Sequence, residues 1–268
     1  MNAPVYEIYA IKYGHIPERR SSENFIHGDL HDRPMPIDFY VWAIVGAQNT
    51  FIVDTGFDPN IAAKRNRQLL RSPAAGLQAL GIDSHGVRDV ILSHLHYDHA
   101  GNHELFPHAR YHLQEKEMIY CTGRCMCHPH LRAAYEPEDV ARVVHRVFEG
   151  RVLFSAGDEE KAPGISVHHV GGHTMGLQVV RVNTRRGWVV LASDAAHYYE
   201  NIETARPFPI AWNVAEMLEG YATIRRLASS PAHIIPGHDP LVLARYPVAR
   251  TGLDGIVARV DLDPLQER

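Results

Sequence analysis

The chain has 268 residues, 45% hydrophobic and 22% charged, with a formal net charge of −4 and no long Lys/Arg block. That is enough apolar content for a sizeable core, and it leaves no electrostatic footprint for nucleic acid or an anionic membrane surface. No apolar run reaches the roughly 18 residues that a membrane span needs. The N-terminal "MNAPVYEIYAIKYGH" shows no basic stretch followed by an apolar one, so no secretory leader is visible and a cytoplasmic protein is expected. Cys121, Cys125 and Cys127 are odd in number and clustered, which suits free thiols in a lid better than a disulfide framework.

In chain order, "FYVWAIVGAQNTFIVDTGFD" reads as two strands joined by a turn at 46–49, rich in β-branched and aromatic residues. The run Val90-Ile91-Leu92 marks a further strand, expected over 88–93. In "PEDVARVVHRVF", Val140, Val143, Val144 and Val147 fall on one helical face behind Pro137 and two acids. The poorly patterned stretch 121–135, within a wider 118–150 segment, is the candidate lid or insertion. "GLQVVRVNTRRGWVVLASDA" repeats the two-strand pattern, and a helix is expected over 213–227. Two distant strand pairs mixed with helices predict an α/β fold: two packed sheets, helices outside, one domain over 1–268.

"SHLHYDHAGN" follows the apolar run at 90–92 and concentrates His94, His96, Asp98 and His99. Two positions apart on extended chain, His94 and His96 leave the same face, so one ion can take both. Asp98 and His99 come where the chain must turn, toward a second ion. Imidazole nitrogen and carboxylate oxygen are zinc's preferred donors, and a catalytic site keeps a position open for water. Three later strand ends add donors: His173 in "GGHT", Asp194 in "ASDAAH" and His238 in "PGHD". His168 and His169 lie inside an expected strand. His103, His108 and His112 read as surface or supporting residues.

The series "FIVDTGFD", "HLHYDH", "GGHT", "SDAAH" and "PGHD" resembles the metallo-β-lactamase superfamily, and within it the N-acyl homoserine lactonase family. The resemblance implies a four-layered αββα sandwich with a dinuclear metal site at one edge of the sheets. His94, His96 and His173 would hold one divalent ion and Asp98, His99 and His238 the second, with zinc the expected metal at both. Asp194 would bridge them, with Asp54 supporting the ligands from behind. The implied reaction is opening of a small-molecule lactone by a metal-bridging hydroxide, with Asp98 as proton shuttle to the leaving oxygen. No "GxSxG" is present to suggest a serine nucleophile.

Such lactonases place a substrate-contacting tyrosine three residues after the bridging aspartate. This chain has His197 there, then Tyr198 and Tyr199, so His197 or Tyr198 is expected to orient the substrate. Phe25, Ile26, Tyr97, Met118 and Phe208 are the candidate pocket residues. The alternatives are a catabolic lactonase acting on a ring without an acyl tail, or a glyoxalase II-like thioesterase. The latter is disfavoured by the thirty residues after His238, too few for a helical carrier-binding region. A homodimer is left open.

Overall fold

The structure, a computed structural model, describes residues 3–28 and 31–266. Residues 1–2 and 267–268 of the expected 1–268 unit therefore lie outside the description. Among the described residues the first strands are β1 (Glu7–Ile16), β2 (Ile37–Val45), β3 (Thr50–Val53), β4 (Gln68–Leu69), β5 (Asp89–Ile91), β6 (Arg110–Gln114) and β7 (Val152–Ser155). They are followed by β8 (Glu159–Ala162), β9 (Ile165–His169), β10 (Gln178–Thr184), β11 (Gly187–Ser193), β12 (Ile234–Pro236) and β13 (Val257–Arg259). One sheet has the order β13-β1-β2-β3-β5-β6-β7, with β4 paired to β1; the other runs β12-β11-β10-β9-β8.

The alternation of side chains along each strand builds the layers. On β2, Tyr40, Trp42 and Ile44 enter the core between the sheets, where Val180, Val182 and Leu191 meet them. Phe39, Val41 and Ala43 point the other way, into an outer core shared with Leu77 and Val143. Those two residues belong to α2 (Pro73–Ala79) and α5 (Pro137–Phe148), reached after α1 (Pro59–Lys64), α3 (Glu115–Thr122) and α4 (Pro129–Arg132). On the far side, Val179 and Val190 pack under Met217, Tyr221 and Ile224. After α6 (Tyr199–Glu203), that face is covered by α7 (Val214–Leu227); α8 (Leu241–Arg245) comes last. The layers are thus helix, sheet, sheet, helix, the α/β sandwich expected. Each fully buried aliphatic or aromatic side chain contributes roughly 1.5–3 kcal/mol, so the three cores dominate the stabilising side.

One expectation needs correction. The strand expected over 88–93 ends at Ile91, because Ser93 leaves the ladder and its backbone N–H donates to the Asp54 carboxylate at 2.7 Å. Of the histidines read as surface or supporting residues, His103 and His112 are both buried. Among the described residues no helix is long and apolar enough to cross a membrane.

Candidate metal centre

The seven expected donors come from loops that follow β5, β9, β11 and β12, and the fold brings all seven together. The sharp exits are forced by backbone conformation. Asp54 after β3 (φ 62°) and Ser193 at the end of β11 (φ 44°) are left-handed, a strained state for residues with a Cβ. Before His173, Gly172 has φ 82°, and the Met217 backbone lies 2.5 Å from where a Cβ would stand, so only glycine fits.

Asp194 is the centre of the cluster. Its Oδ1 lies 2.9 Å from His238 Nε2 and 3.2 Å from His99 Nε2. Its Oδ2 faces His173 Nε2 at 3.3 Å and His94 Nε2 at 4.0 Å. Within one set His96 Nδ1 is 2.9 Å from His173 Nε2. Within the other, Asp98 Oδ2 is 3.7 Å from His99 Nε2 and 3.8 Å from His238 Nε2. The trios His94, His96, His173 and Asp98, His99, His238 each have their donor atoms within 4.8 Å of one another, as do His94, His99, Asp194 and His173, Asp194, His197.

The rear nitrogens are occupied, which fixes which nitrogen faces inward. His99 Nδ1 meets Asp54 Oδ2 at 2.7 Å, His173 Nδ1 meets the Ile210 carbonyl at 2.7 Å, and His238 Nδ1 meets the Asp38 carbonyl at 2.8 Å. His94 Nδ1 lies 3.1 Å from Ser93 Oγ. An outer acceptor of this kind sets the tautomer and raises the basicity of the inner nitrogen.

A second device joins the two ligand loops. Glu117 is fully buried, and its Oε1 accepts from the Leu95 N–H at 3.0 Å and the Tyr135 hydroxyl at 2.7 Å. Its Oε2 accepts from Thr174 Oγ1 at 2.6 Å and the Gly176 N–H at 3.1 Å. One carboxylate therefore ties the chain beside His94 and His96 to the chain beside His173. Nothing in the local pattern of "QEKEMIY" singles out Glu117, and sequence reading missed it.

Charge tests whether cations fit. Burial pushes Asp194 upward, but His238, His99 and His197 outweigh it and hold the carboxyl well below its usual range. Burial pulls His99 downward, yet Asp194, Asp54 and Asp98 carry it well above an ordinary imidazole. His94 and His96 are held well below by burial and by neighbouring imidazoles. No Lys or Arg among the described residues pairs with Asp54, Asp98 or Asp194. His94 Nε2, His99 Nε2 and Asp194 Oδ1 are buried and make no well-formed hydrogen bond. Orphaned donor atoms around carboxylates that no Lys or Arg meets fit divalent cations, and the mixed imidazole and carboxylate set fits metals of the zinc kind.

A cavity of about 260 Å³ opens over the cluster, lined by Asp98, Asp194, His96, His173, His197 and His238 together with Ile16, Ile37, Phe39, Tyr97 and Ile210. Ala133, Ala134 and His130, just after the cysteine cluster, form part of its wall. His197 Nε2 lies 3.0 Å from Asp194 Oδ2, its ring stacks on Phe208 with centroids 3.5 Å apart, and burial lowers its pKa to about 3. Tyr198 corrects the sequence reading. Its hydroxyl is taken by the Met35 and Pro36 carbonyls and Asn24 Nδ2, away from the cavity, because consecutive residues leave the chain on opposite sides. Of the candidate pocket residues Tyr97 lines the cavity and Phe208 backs His197, whereas Phe25, Ile26 and Met118 do not reach it. Cys121 is buried, Cys125 half-buried and Cys127 exposed, so the cluster is not uniformly interior.

Residues 39–247 match the family described as metallo-beta-lactamase superfamily, well over half of the chain. The chain belongs to the metallo-β-lactamase superfamily. An N-acyl homoserine lactonase of Bacillus cereus is 25% identical over 223 residues, covering 76% of this chain and 81% of the relative. One from Bacillus sp is 29% identical over 133 residues, 49% of this chain, and the match spans only about half (48%) of that relative's length. Among solved structures, a dizinc quorum-quenching lactonase in complex with a product has a TM-score of 0.70 at 15% identity, over 89% of each chain. As a member of the superfamily the chain has a buried His/Asp donor set suited to metal ions.

Proposed function

We propose that the protein opens lactone rings, N-acyl homoserine lactones or related ones, at a site that holds two divalent cations, zinc being the metal its donors suit best. The observation that carries this reading is the two-sided Asp194 carboxylate, each oxygen facing its own set of imidazoles. His94, His96 and His173 would hold one cation, Asp98, His99 and His238 the other, and Asp194 both. Bound there, the cations supply a water nucleophile at neutral pH and polarise the carbonyl of the ester. The lactonase relatives support the substrate class.

The side chains supply the rest. Asp98 stands in the cavity wall with Oδ2 turned to His99 and His238, and its carboxylate would carry the proton to the leaving alkoxide. His197 stays neutral and holds Asp194 from the side, its Nε2–H donating to Oδ2 at 3.0 Å. Ile37, Phe39 and Tyr97 keep bulk water off the ester.

The test is metal analysis followed by a hydrolysis screen of short- and long-chain acyl homoserine lactones, plain γ- and δ-lactones, and thioesters. Close to two metal equivalents and lactone turnover lost on chelation are expected. Full activity with one tightly bound ion would break the two-metal reading. Thioester turnover without lactone turnover would move the protein to the thioesterase alternative.

A further inference from the structure

Three arginines, Arg19, Arg65 and Arg67, line the cavity. An acyl homoserine lactone carries no charge, so it offers guanidinium groups carbonyl acceptors but no counter-ion. The three arginines differ in what already occupies them. Arg65 is engaged: it pairs with Glu136 at 2.8 Å and donates to the Ala133 and Tyr135 carbonyls. Arg67 spends one N–H, its Nε donating to the Tyr97 hydroxyl at 3.1 Å, and among the described residues its terminal nitrogens meet no further acceptor. Arg19 donates Nε to Asn24 and a terminal nitrogen to the Glu23 carbonyl at 3.2 Å. Among the described residues neither Arg19 nor Arg67 pairs with a carboxylate.

Their placement is built, not incidental. Asn66, between Arg65 and Arg67, sits in the left-handed region (φ 52°) where α1 gives way to β4. That turn sends both guanidinium groups to Tyr97, their carbons 4.1 and 6.0 Å from its ring centroid. Tyr97 is the residue between His96 and Asp98, and its ring is stacked on Phe57 with centroids 5.8 Å apart. The pair is therefore anchored one residue from the ligand loop. A half-buried guanidinium without a counter-ion, beside a site that two divalent cations would make more positive, favours an anionic occupant. Planar, bidentate donors of this kind match a carboxylate.

We propose that the substrate of this site carries a carboxylate remote from its scissile ester, gripped by Arg67 with Arg19 beside it. The class is then an acidic lactone or ester, and a long neutral acyl chain is not the preferred cargo. The inference rests on the hydrolase reading for its reaction and on the arginines alone for its charge preference.

Two measurements separate those foundations. In the first, kcat/KM is compared for a γ-lactone bearing a carboxylate side chain and for the matching primary amide. The wild type should favour the acid by 10–100-fold, and Arg67→Gln should bring that ratio to within about threefold, with Arg67→Lys between. In the second, calorimetry on the metal-loaded protein compares succinate, glutarate and adipate with their monoamides, with a melting curve of each variant to confirm folding. Tighter binding of at least one diacid than its monoamide, lost in Arg67→Gln, supports the anion site even if no lactone is turned over. Equal turnover of acid and amide together with equal binding of diacids and monoamides by the wild type would overturn it, whatever the hydrolysis screen gives.

Discussion

Glu117 offers the sharpest test of how the ligand loops are held. Its four bonds all come from donors: two backbone N–H groups and two hydroxyls. In Glu117→Gln the same shape is kept but one oxygen becomes an NH₂ facing two of those donors. A hydroxyl can rotate and accept from it; the N–H of Leu95 or Gly176 cannot. At least one buried backbone N–H is left without a partner, a cost of about 1–3 kcal/mol, and the bonds that survive lose their charge assistance. Burial raises the Glu117 pKa against the pull of its four donors, so removing the charge returns part of that cost. A net loss of about 2 kcal/mol corresponds to a melting point roughly 4–8 °C lower for a chain of this size. The assay is a thermal melt of metal-free and metal-loaded protein beside metal analysis. Weaker retention of the ion at His94, His96 and His173 is expected, because those residues flank the two tied segments. A variant that melts like the wild type and keeps both ions at full affinity would refute the reasoning.

Asp194→Ala should release at least one metal equivalent and lower kcat by several orders of magnitude, read by metal analysis and steady-state kinetics. His197→Ala should keep both metals and lower kcat/KM by roughly 10–100-fold, the scale of one lost hydrogen bond to the Asp194 carboxylate that it holds in place; metal loss would make His197 a ligand, a role its place beside His173 and Asp194 allows. His103 is a pH probe away from the ligands: burial, with help from Arg146 and Arg142, lowers its pKa to about 3, so the folded state keeps it neutral. Its contribution is complete above the ordinary value near 6.5 and declines as pH falls toward 3, by about 2 kcal/mol between 6.5 and 5. Denaturation of the metal-free protein across that interval should show a shallower pH slope in His103→Leu than in the wild type; equal slopes would place His103 in contact with water.

What the sequence made legible was whatever depends on local spacing and residue type. Period-two strands such as β2 and β10 could be read because one face alone must be apolar. The donor loops could be read because no other physical role calls for His-x-His-x-Asp-His after an apolar strand. The strand before those loops was read too long, since nothing local announces that Asp54, thirty-nine positions earlier, accepts the Ser93 N–H and ends the ladder. For His103 and His112 the choice between surface and supporting residue stayed open, because an isolated histidine in a polar stretch carries no burial signal. Tyr198 was a reasonable candidate by position, but the direction of a side chain at the exit of a strand is set by the turn at Ser193 and by the carbonyls of Met35 and Pro36, which the chain supplies from far away.

The same physics explains why the cavity's charge was the least legible feature of all. Arg19, Arg65 and Arg67 sit among other charged residues, "IPERRSS" and "AAKRNRQ", where any of them could be a solvated surface group. Only the fold decides that Arg20 pairs with Asp32 at the surface while its neighbour Arg19 turns to the cavity. Ligand sets recur because a metal imposes its geometry on the spacing of its donors. A substrate's remote group imposes no such spacing, since it can be met from any loop that reaches the rim. The donor loops were therefore readable from one ten-residue stretch and its partners, whereas three arginines at that rim come together only in the fold. For the same reason Arg67 is the residue at which preference among substrates should change most while the metal count stays at two.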